Sequence, residues 1–369
     1  MKELYISQVD AIFANGCYPI EFLHFYKTPL DTRRICASLA SLSSVFWPLF
    51  GRYREGIIRF EAYVEQEFYD VRAIDRDFDP NDTLENIYRH YSRANPVDMP
   101  GLFFLTVLQH RNGTVLIPKM NHLAGDGYSY FYFLSAIARA VQSDGLPDAA
   151  LEHVHHGRTG LKNFKLGSIE LAPPLKTEEL TIRYERVAKE TVRTLIRKVA
   201  GDFDHKVSTN DLLSAMVLRE SVSAQRQYAK NHFHLTIPID VRSHVKKYGP
   251  NFFGNGIMLR DMAFTRQETK ESSIEEIAIK IRKSMPEISE ESYLNYLDSL
   301  EDLIDKRRVD ELKPFDPESG CLVTNLSRLP ANKLNFGAGA PEFIFPLTIE
   351  KNSAAILADE EHFILRLAY

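Results

Sequence analysis

The spacing of apolar residues changes from a helical to a strand period along the first part of the chain. Over residues 31–46, apolar residues recur every three or four positions, as in an amphipathic helix, and Asp31 stands where an N-cap is expected. Over residues 58–64, every second residue is apolar, as in a half-buried strand. The pattern therefore predicts a helix followed by a strand.

A β-hairpin is predicted in the middle of the first half. Residues 103–109 and 114–120 are apolar segments on either side of Arg111-Asn112-Gly113, and Asn-Gly is a strong signal for a tight hairpin turn. After the second strand comes His122, and residues 128–141 then have the composition of a helix. We therefore expect His122 in a short loop between a strand and a helix, where functional residues are common.

The second half repeats this mixture of helices and strands. Residues 192–199 have one apolar helical face, and residues 273–276 have the Ser-x-x-Glu pattern of a capping box. Residues 233–241 and 363–367 alternate as strands do, although Pro238 in the first of them favours a sheet edge or a bulge.

A change of pattern between the halves predicts two domains. The periodicity weakens after about residue 151, and Pro173-Pro174 lies in a stretch rich in lysine and glutamate, which is typical of a linker. We predict an N-terminal domain over 1–165, a linker over 166–188 and a C-terminal domain over 189–369. The mixture of elements indicates an α+β protein of two sheet-and-helix domains, with the ligand site in the cleft between them.

Composition and charge exclude several classes of partner. The 369 residues include 45 basic and 50 acidic ones, a formal net charge of -5, without long blocks of like charge, so neither nucleic acid nor a membrane surface is expected. No segment approaches the roughly 20 apolar residues of a membrane span, and the first residues lack the apolar core of a signal peptide. We therefore expect a cytoplasmic protein. Three distant cysteines predict no disulfide framework.

Two clusters of side chains allow both a functional and a structural interpretation. Glu152-His153-Val154-His155-His156 could hold a metal, but it lacks further ligands at suitable spacing, so a solvated loop is preferred and no metal is expected. Aromatic residues within 128–133 could line a substrate channel, but aromatic residues around a helix more often pack in a core. One or two of them are expected to face the channel.

The sequence His122-Leu123-Ala124-Gly125-Asp126-Gly127 carries the main candidate chemistry. A neutral imidazole can take a proton from an attacking hydroxyl at pH 7, because its unperturbed pKa is about 6.5. Gly125 and Gly127 allow a sharp turn around Asp126. That carboxylate could face the imidazole, fasten the loop through an arginine or cap the next helix. Spacing alone leaves these roles open, and it also leaves open a purely structural His122.

Further segments, in the same order, carry a resemblance to a known family. They are Pro48-Leu49-Phe50-Gly51-Arg52, residues 207–215, Ile239-Asp240-Val241-Arg242 with residues 251–255, and residues 324–330 with Asn335-Phe336-Gly337-Ala338-Gly339. Together with the His122 motif, they resemble the BAHD acyltransferases, in the superfamily of chloramphenicol acetyltransferase and peptide-synthetase condensation domains. The resemblance spans nearly the whole chain.

This resemblance implies a fold and an activity. The fold would be two chloramphenicol-acetyltransferase-like domains that form a pseudo-dimer within one monomeric chain, with a channel at their interface and the His122 loop at its middle. The activity would be transfer of an acyl group from a thioester, by expectation acyl-coenzyme A, to a hydroxyl or amine of a small-molecule acceptor. His122 would be the general base, no acyl-enzyme would form, and no cofactor would be bound permanently.

The resemblance also implies roles for individual residues. Asp126 would turn away from the reaction centre and pair with Arg242, anchoring the loop, and Thr324 is the candidate oxyanion donor. Ser208 and Thr209 are expected to cap a helix and could also contact a coenzyme phosphate at its N-terminus.

The chain departs from the family's pattern at several positions. Leu326, Asn335 and Ala338 stand where plant members have Trp, Asp and Trp, while Phe336, Gly337 and Gly339 match. An ionic tether and two aromatic contacts are therefore missing. Asn121 precedes His122, where many condensation domains have a second histidine. We interpret the chain as a divergent, non-plant member. A condensation-type enzyme with a carrier-protein donor and a catalytically silent binding domain remain alternatives.

Overall fold

The computed structural model describes residues 1–13, 19–143, 149–158, 181–224, 232–306 and 316–369. The helices are α1 (Gln8–Phe13), α2 (Thr32–Leu42), α3 (Trp47–Phe50), α4 (Leu84–Tyr91), α5 (Gly127–Gln142), α6 (Lys189–Asp202), α7 (Thr209–Ala224), α8 (Arg266–Glu271), α9 (Ile274–Ser284) and α10 (Glu290–Asp305). The strands are β1 (Lys2–Tyr5), β2 (Ile20–Tyr26), β3 (Arg52–Arg54), β4 (Ile57–Phe60), β5 (Tyr69–Ile74), β6 (Phe103–His110), β7 (Gly113–Met120), β8 (His155–His156), β9 (Ile182–Ala188), β10 (His232–Asp240), β11 (Phe252–Phe253), β12 (Ile257–Thr265), β13 (Gly320–Asn325), β14 (Phe343–Pro346), β15 (Ser353–Ala358) and β16 (His362–Ala368).

The first large sheet has five strands in the order β14-β2-β7-β6-β5. Its edge strand β14 comes from residues 343–346, far along the chain, and pairs antiparallel with β2. Helix α5 packs against this sheet, where Phe131 contacts Phe22 of β2 at a ring-centroid distance of 5.2 Å and Phe133 and Ile137 are buried in the same core. The first half of the chain therefore completes its sheet with a strand from the second half.

The predicted hairpin is present, with a two-residue loop of Arg111 and Asn112 between β6 and β7. The side chain of Asn112 holds the adjacent chain by accepting from the amide nitrogen of Phe78 at 2.9 Å and donating to its carbonyl oxygen at 2.8 Å. Gly113 has φ +155°, and a Cβ there would lie 2.2 Å from the carbonyl oxygen of Tyr26. Only glycine fits at this position.

The second large sheet has six strands in the order β12-β10-β13-β15-β16-β9. Successive residues along its strands project alternately to the two faces of the sheet. One face, which includes Cys321, Val323 and Leu365, packs in a second core with α6, α7 and α9. The other face carries Leu322 and Thr324 and borders a large cavity.

Strands β10 and β13 pair only over His234–Thr236, and beyond this point they separate. Pro238 lies in the separated part, where it is opposite Leu259 of β12. The predicted bulge is absent, since the register of β10 with β12 is unbroken, whereas the predicted edge is present over the second half of β10, which contains Pro238 and pairs, among the described strands, with β12 alone. Proline is tolerated because the second half of β10 pairs on one side only.

Local signals predicted several boundaries well. Asp31 caps α2 by accepting from the amide nitrogen of Arg34 at 3.1 Å, and Ser273 and Glu276 form the predicted capping box of α9. Two elements are shorter than predicted. Helix α2 ends at Leu42, and strand β4 ends at Phe60 because its partner β1 extends no farther than the pair Lys2 and Phe60.

The predicted linker over 166–188 is wrong at its end. Residues Ile182–Ala188 form β9, which pairs along its whole length with β16 at the edge of the second sheet. The apolar residues Ile182 and Val187 are buried there. Pro173 and Pro174 lie outside the described residues, and the boundary between the two domains remains a prediction.

No helix in the described parts of the chain is long and apolar enough to cross a membrane. Cys36 and Cys321 are buried free thiols, whereas Cys17 lies outside the described residues.

Candidate active site

A cavity of about 1550 Å³ is lined by residues of both large sheets. Glu21 and Phe22 of β2 contribute from the first sheet, and Ile239, Thr324 and Arg366 contribute from the second. Strands β10 and β13 separate after Thr236, and residues beyond that point, Ile239 of β10 and Thr324 of β13, line the cavity. His122 also lines this cavity.

His122 is placed by a tight turn that follows β7. The side-chain oxygen of Asn121 accepts from the amide nitrogen of Leu123 at 2.9 Å, and its carbonyl oxygen accepts from Ala124 at 3.0 Å. Asn121, which stands in place of a second histidine, therefore shapes the turn that carries His122. From the other side, the amide nitrogen Nδ2 of Asn255 donates to the carbonyl oxygen of His122 at 3.0 Å.

The surroundings of His122 favour its neutral form. Burial lowers the pKa of the imidazole, and the nearby Asp126 carboxylate, the histidine's own backbone and the side chain of Asn255 offset only part of this effect. The net pKa is below the ordinary value of 6.5. At pH 7 the imidazole is therefore unprotonated and able to accept a proton.

Asp126 both caps α5 and forms a buried ion pair. Its Oδ1 accepts from the amide nitrogen of Ser129 at 3.0 Å and from Arg242 Nη2 at 3.0 Å. Its Oδ2 accepts from Arg242 Nη1 at 2.8 Å and from the amide nitrogen of Gly256 at 2.8 Å. The pair links the end of β7 to the end of β10, so the cap and the arginine contact, which sequence spacing could not separate, occur together.

The charges of this pair are well compensated. Burial raises the pKa of Asp126, but Arg242 and the donated hydrogen bonds outweigh this effect and hold the pKa below its usual value. The guanidinium of Arg242 also donates to the carbonyl oxygens of Phe252 and Gly254, at 3.2 Å and 2.8 Å, and lies 4.4 Å from the ring centre of Tyr128. Asp126 is thus held as an anion that faces Arg242.

The two glycines of the motif are needed for close packing. Neither Gly125 nor Gly127 has a positive φ, so the expected conformational reason for them is wrong. A Cβ on Gly125 would lie 2.7 Å from Cβ of Ser129, and one on Gly127 would lie 3.2 Å from Cδ2 of Leu326. Leu326, which replaces an aromatic residue of the plant pattern, therefore packs against the start of α5.

Thr324, Ser208 and Thr209 all line the cavity. Thr324 is on β13, in register with Ala355 of β15. Ser208 caps α7, because its hydroxyl accepts from the amide nitrogen of Asp211 at 3.3 Å while Oδ2 of Asp211 accepts from the amide nitrogen of Ser208 at 2.7 Å. The expected cap is therefore present.

The segment from Asn335 to Gly339 does not line the cavity and has a structural place. The side-chain oxygen of Asn335 accepts from the amide nitrogens of Gly337 and Gly339, each at 2.9 Å, so a neutral amide holds this loop without the aspartate of the plant pattern. Both glycines have positive φ, +96° and +87°. Phe336 is buried with its ring edge against Tyr26, at a centroid distance of 5.9 Å.

The histidine cluster at 153–156 contributes to packing. His156 is half-buried, with its ring against those of Trp47 and Phe253, and its Nε2 lies 2.8 Å from the carbonyl oxygen of Val45. Burial lowers its pKa to about 4. Among the described residues, no group of three or more metal-ligating side chains is placed to hold a metal. Of the aromatic residues in 128–133, Tyr128 lines the cavity, whereas Tyr130 and Phe131 are in the core.

Sequence reasoning missed two residues that fix the site. Asn255 belongs to a segment that carries the family resemblance, yet no role was predicted for it, and Arg158 carried no signal at all. Arg158 Nη2 donates to the carbonyl oxygen of Asn255 at 2.7 Å and to Oδ1 of Asp10 at 2.6 Å, and Nη1 donates to the hydroxyl of Tyr293 at 2.8 Å. Asn255 is buried between Gly254 and Gly256, and this burial is visible only in three dimensions.

The chain is similar to known transferases over most of its length. A family model described as "Transferase family" matches residues 2–362. The chain is 23% identical, over 380 residues, to shikimate O-hydroxycinnamoyltransferase of Nicotiana tabacum, with coverage of 94% of this chain and 86% of that protein.

Solved structures share the fold at low sequence identity. One is TRI101 of F. sporotrichioides, complexed with coenzyme A and T-2, with a TM-score of 0.76, 15% identity and coverage of 99% of this chain and 94% of that chain. Another is vinorine synthase, with a TM-score of 0.72, 18% identity and coverage of 100% and 90%. The predicted α+β fold, of the chloramphenicol acetyltransferase type, is thereby confirmed. The match over almost the whole sequence shows that the chain belongs to the Transferase family, that of the BAHD acyltransferases, and is an acyltransferase.

Proposed function

We propose that this acyltransferase moves an acyl group from acyl-coenzyme A to a hydroxyl or amine of a small-molecule acceptor, with His122 as general base. The observation that carries the proposal is the placement of a neutral, half-buried imidazole on the wall of the cavity between the two sheets. The TRI101 structure, a complex with coenzyme A, supports the choice of donor. Both sides of the cavity come from one chain, which supports a monomer as the active form.

In the proposed reaction, the acceptor attacks the thioester carbonyl while His122 takes its proton. The same imidazole then returns the proton to the sulfur of the departing coenzyme. Asp126 is committed to Arg242, which supports its role as an anchor of the loop rather than a proton relay. The role of Asp126 is thus to keep His122 in place.

Direct transfer without an acyl-enzyme is supported by the state of the two cysteines that the structure describes. Burial raises the pKa of Cys36 to about 11 and that of Cys321 to about 12, and neither residue lines the cavity. A thiol with so high a pKa is a poor nucleophile, because the thiolate is the reactive form.

The coenzyme's phosphates are proposed to lie near the N-terminus of α7. Ser208 and Thr209 line the cavity there, and so does Arg282, whose guanidinium lies 2.6 Å from Oδ2 of Asp211 in the first turn of the helix. A helix N-terminus with nearby cations is a suitable site for phosphate.

Thr324 is proposed to stabilise the oxyanion that forms at the thioester carbonyl. Thr324→Val keeps the shape of the side chain but removes its hydroxyl, so we expect kcat to fall by about 10²- to 10³-fold while KM changes little. Steady-state kinetics with one acyl-coenzyme A donor measures both quantities. A kcat equal to that of the parent enzyme would remove Thr324 from this role.

The pH dependence of the reaction reports the state of His122. Because the pKa of this imidazole is lowered in the folded protein, kcat/KM is expected to be on its plateau at pH 7 and to fall as the pH decreases, with a midpoint below 6.5. The measurement is kcat/KM at saturating acceptor between pH 4.5 and 8, with stability monitored in parallel. An acid limb centred above pH 7 would contradict this placement of the base.

The donor is tested by stoichiometry. Acyl-coenzyme A thioesters that raise the unfolding temperature are first selected, and product and free coenzyme A are then measured together for each. We expect equal amounts of both. Product from a carrier-protein thioester alone would replace the proposed donor with the condensation-type alternative, and binding without any turnover would favour the silent binding domain.

A further inference from the structure

Arg366 lies in a row of side chains that crosses the cavity face of the second sheet. Thr324 pairs with Ala355, Ala355 pairs with Arg366, and Arg366 pairs with Tyr184, so all four project from the same face. Neighbouring strands are about 4.8 Å apart, which places the Cα atoms of Thr324 and Arg366 roughly 10 Å apart. Both residues line the cavity.

Within the described parts of the chain, the guanidinium of Arg366 is buried without an anionic partner. Arg366 is only 3% exposed. Among the residues that the structure describes, no carboxylate oxygen lies within 4.0 Å of the nitrogen atoms of its guanidinium. Its hydrogen bonding within the described parts of the protein is one long contact, from Nη1 to the hydroxyl oxygen of Ser353 at 3.5 Å, and its Nε has no partner. Burial lowers the pKa of this group to about 10, and the nearby hydroxyl groups of Tyr184 and Tyr88 offset only part of this effect.

Two other buried arginines of the same chain are each paired with an aspartate. Arg242 lies 2.8 Å from Asp126, and Arg158 lies 2.6 Å from Asp10. Both arginines have a raised pKa, opposite in direction to Arg366. A buried, unpaired cation is unfavourable for folding, so its presence on a cavity wall indicates a ligand.

The carboxyl group of Glu21 lines the same cavity but is engaged elsewhere. Its Oε1 accepts from Nδ2 of Asn95 at 2.6 Å, and its charged neighbour is Lys119, on the paired strand. Burial raises the pKa of Glu21 to about 7, so much of the charge is lost at neutral pH. Glu21 therefore leaves the charge of Arg366 unmatched.

We propose that Arg366 binds a carboxylate on one of the two substrates and makes the enzyme selective for it. A guanidinium matches a carboxylate with two parallel hydrogen bonds, and the buried setting strengthens the contact. The carboxylate belongs either to an acyl group derived from a dicarboxylic acid or to an acceptor that is a hydroxy or amino acid. This inference rests on the proposed function only in taking the cavity as the substrate site.

Equilibrium binding to two matched pairs of ligands tests the proposal. The donor pair is succinyl-coenzyme A and 4-methylpentanoyl-coenzyme A, which replaces the carboxylate with an uncharged group of similar shape. The acceptor pair is 3-hydroxycyclohexanecarboxylate and its amide. For the parent enzyme, we expect the charged member of one pair to bind at least about tenfold more tightly than the neutral member. The pair that shows the preference identifies the substrate that carries the carboxylate.

The variant Arg366→Met removes the charge and keeps an unbranched side chain. We expect it to bind the neutral ligands like the parent and to lose the preference for the charged one, and Arg366→Lys to keep part of it. Its unfolding temperature should equal or exceed that of the parent, since an uncompensated charge is removed. Equal binding within both pairs by the parent, a preference retained in Arg366→Met, or a clear loss of stability in that variant would each overturn the proposal. Because binding is measured without turnover, failure of the acyl transfer itself would be seen separately, in the assay with neutral donors.

Discussion

His122→Ala is expected to lower kcat/KM for acyl transfer by about 10²- to 10⁴-fold, the loss that follows removal of a general base. The residual activity would come from positioning of the two substrates and from the oxyanion donor. The unfolding temperature should change little relative to this loss, because the loop is held by contacts of the backbone carbonyl of His122 and of the side chains of Asn121 and Asp126. Steady-state kinetics and thermal unfolding of the same preparations measure both effects.

His156 offers a matched control for this variant. Like His122, it is a half-buried histidine with a lowered pKa, but it does not line the cavity, and its Nε2 lies 2.8 Å from the carbonyl oxygen of Val45. His156→Gln should therefore keep kcat/KM close to that of the parent wherever the protein remains folded. An equal loss of activity in both variants would attribute the effect to packing rather than to the base.

Asp126→Asn is expected to reduce the free energy of unfolding by about 3 to 5 kcal/mol, the usual result of leaving one partner of a buried ion pair uncompensated. The amide would place a donor against Arg242 or the amide nitrogen of Gly256, both of which already donate to this side chain. Activity should fall as well, because the loop that carries His122 loses its contact with the second sheet. Chemical denaturation at pH 7 together with kcat/KM measures the two effects.

The loss of stability in Asp126→Asn is expected only at a pH where Asp126 of the parent protein is ionised. Because the pKa of Asp126 is lowered in the folded protein, its contribution to stability is present above the ordinary pKa of about 3.9 and is lost as the pH falls through the lower folded-state value. The exposed pair of Asp75 and Arg111, at 2.8 Å, is the control, and Asp75→Asn should change the free energy of unfolding by at most about 1 kcal/mol. An Asp126→Asn protein as stable and active as its parent would contradict the anchor role.

The sequence predicts those features that depend on neighbours along the chain. The hairpin around Asn112, the cap at Asp31 and the capping box at Ser273 and Glu276 all follow from side chains within a few residues of the backbone groups that they bond. The loop position of His122 follows from the same local signals. Short stretches of sequence are therefore sufficient to predict these features.

Features that depend on distant parts of the chain do not follow from such local signals. The pairing of β14 with β2 joins residues more than 300 positions apart, and β9 becomes a strand because β16 lies beside it. The unpaired state of Arg366 is also invisible in sequence, because an arginine that alternates with apolar residues resembles one on a solvated face. Only the register of four strands shows that it faces the cavity.

The Asp126 and Arg242 contact is an intermediate case. Spacing left three roles open for the aspartate, and the family resemblance favoured the arginine. The structure shows why two of those roles are compatible: each carboxylate oxygen accepts two hydrogen bonds, so one side chain caps α5 and binds Arg242 together.

The central claim is that acyl-coenzyme A is the donor and His122 the base, and one paired assay tests it most directly. Acylated acceptor and free coenzyme A are measured together for the parent and for His122→Ala, each shown to be folded by its unfolding temperature. We expect equal amounts of both products from the parent and a rate at least about 10²-fold lower from the variant. A folded His122→Ala protein that forms both products at the parent's rate would contradict it.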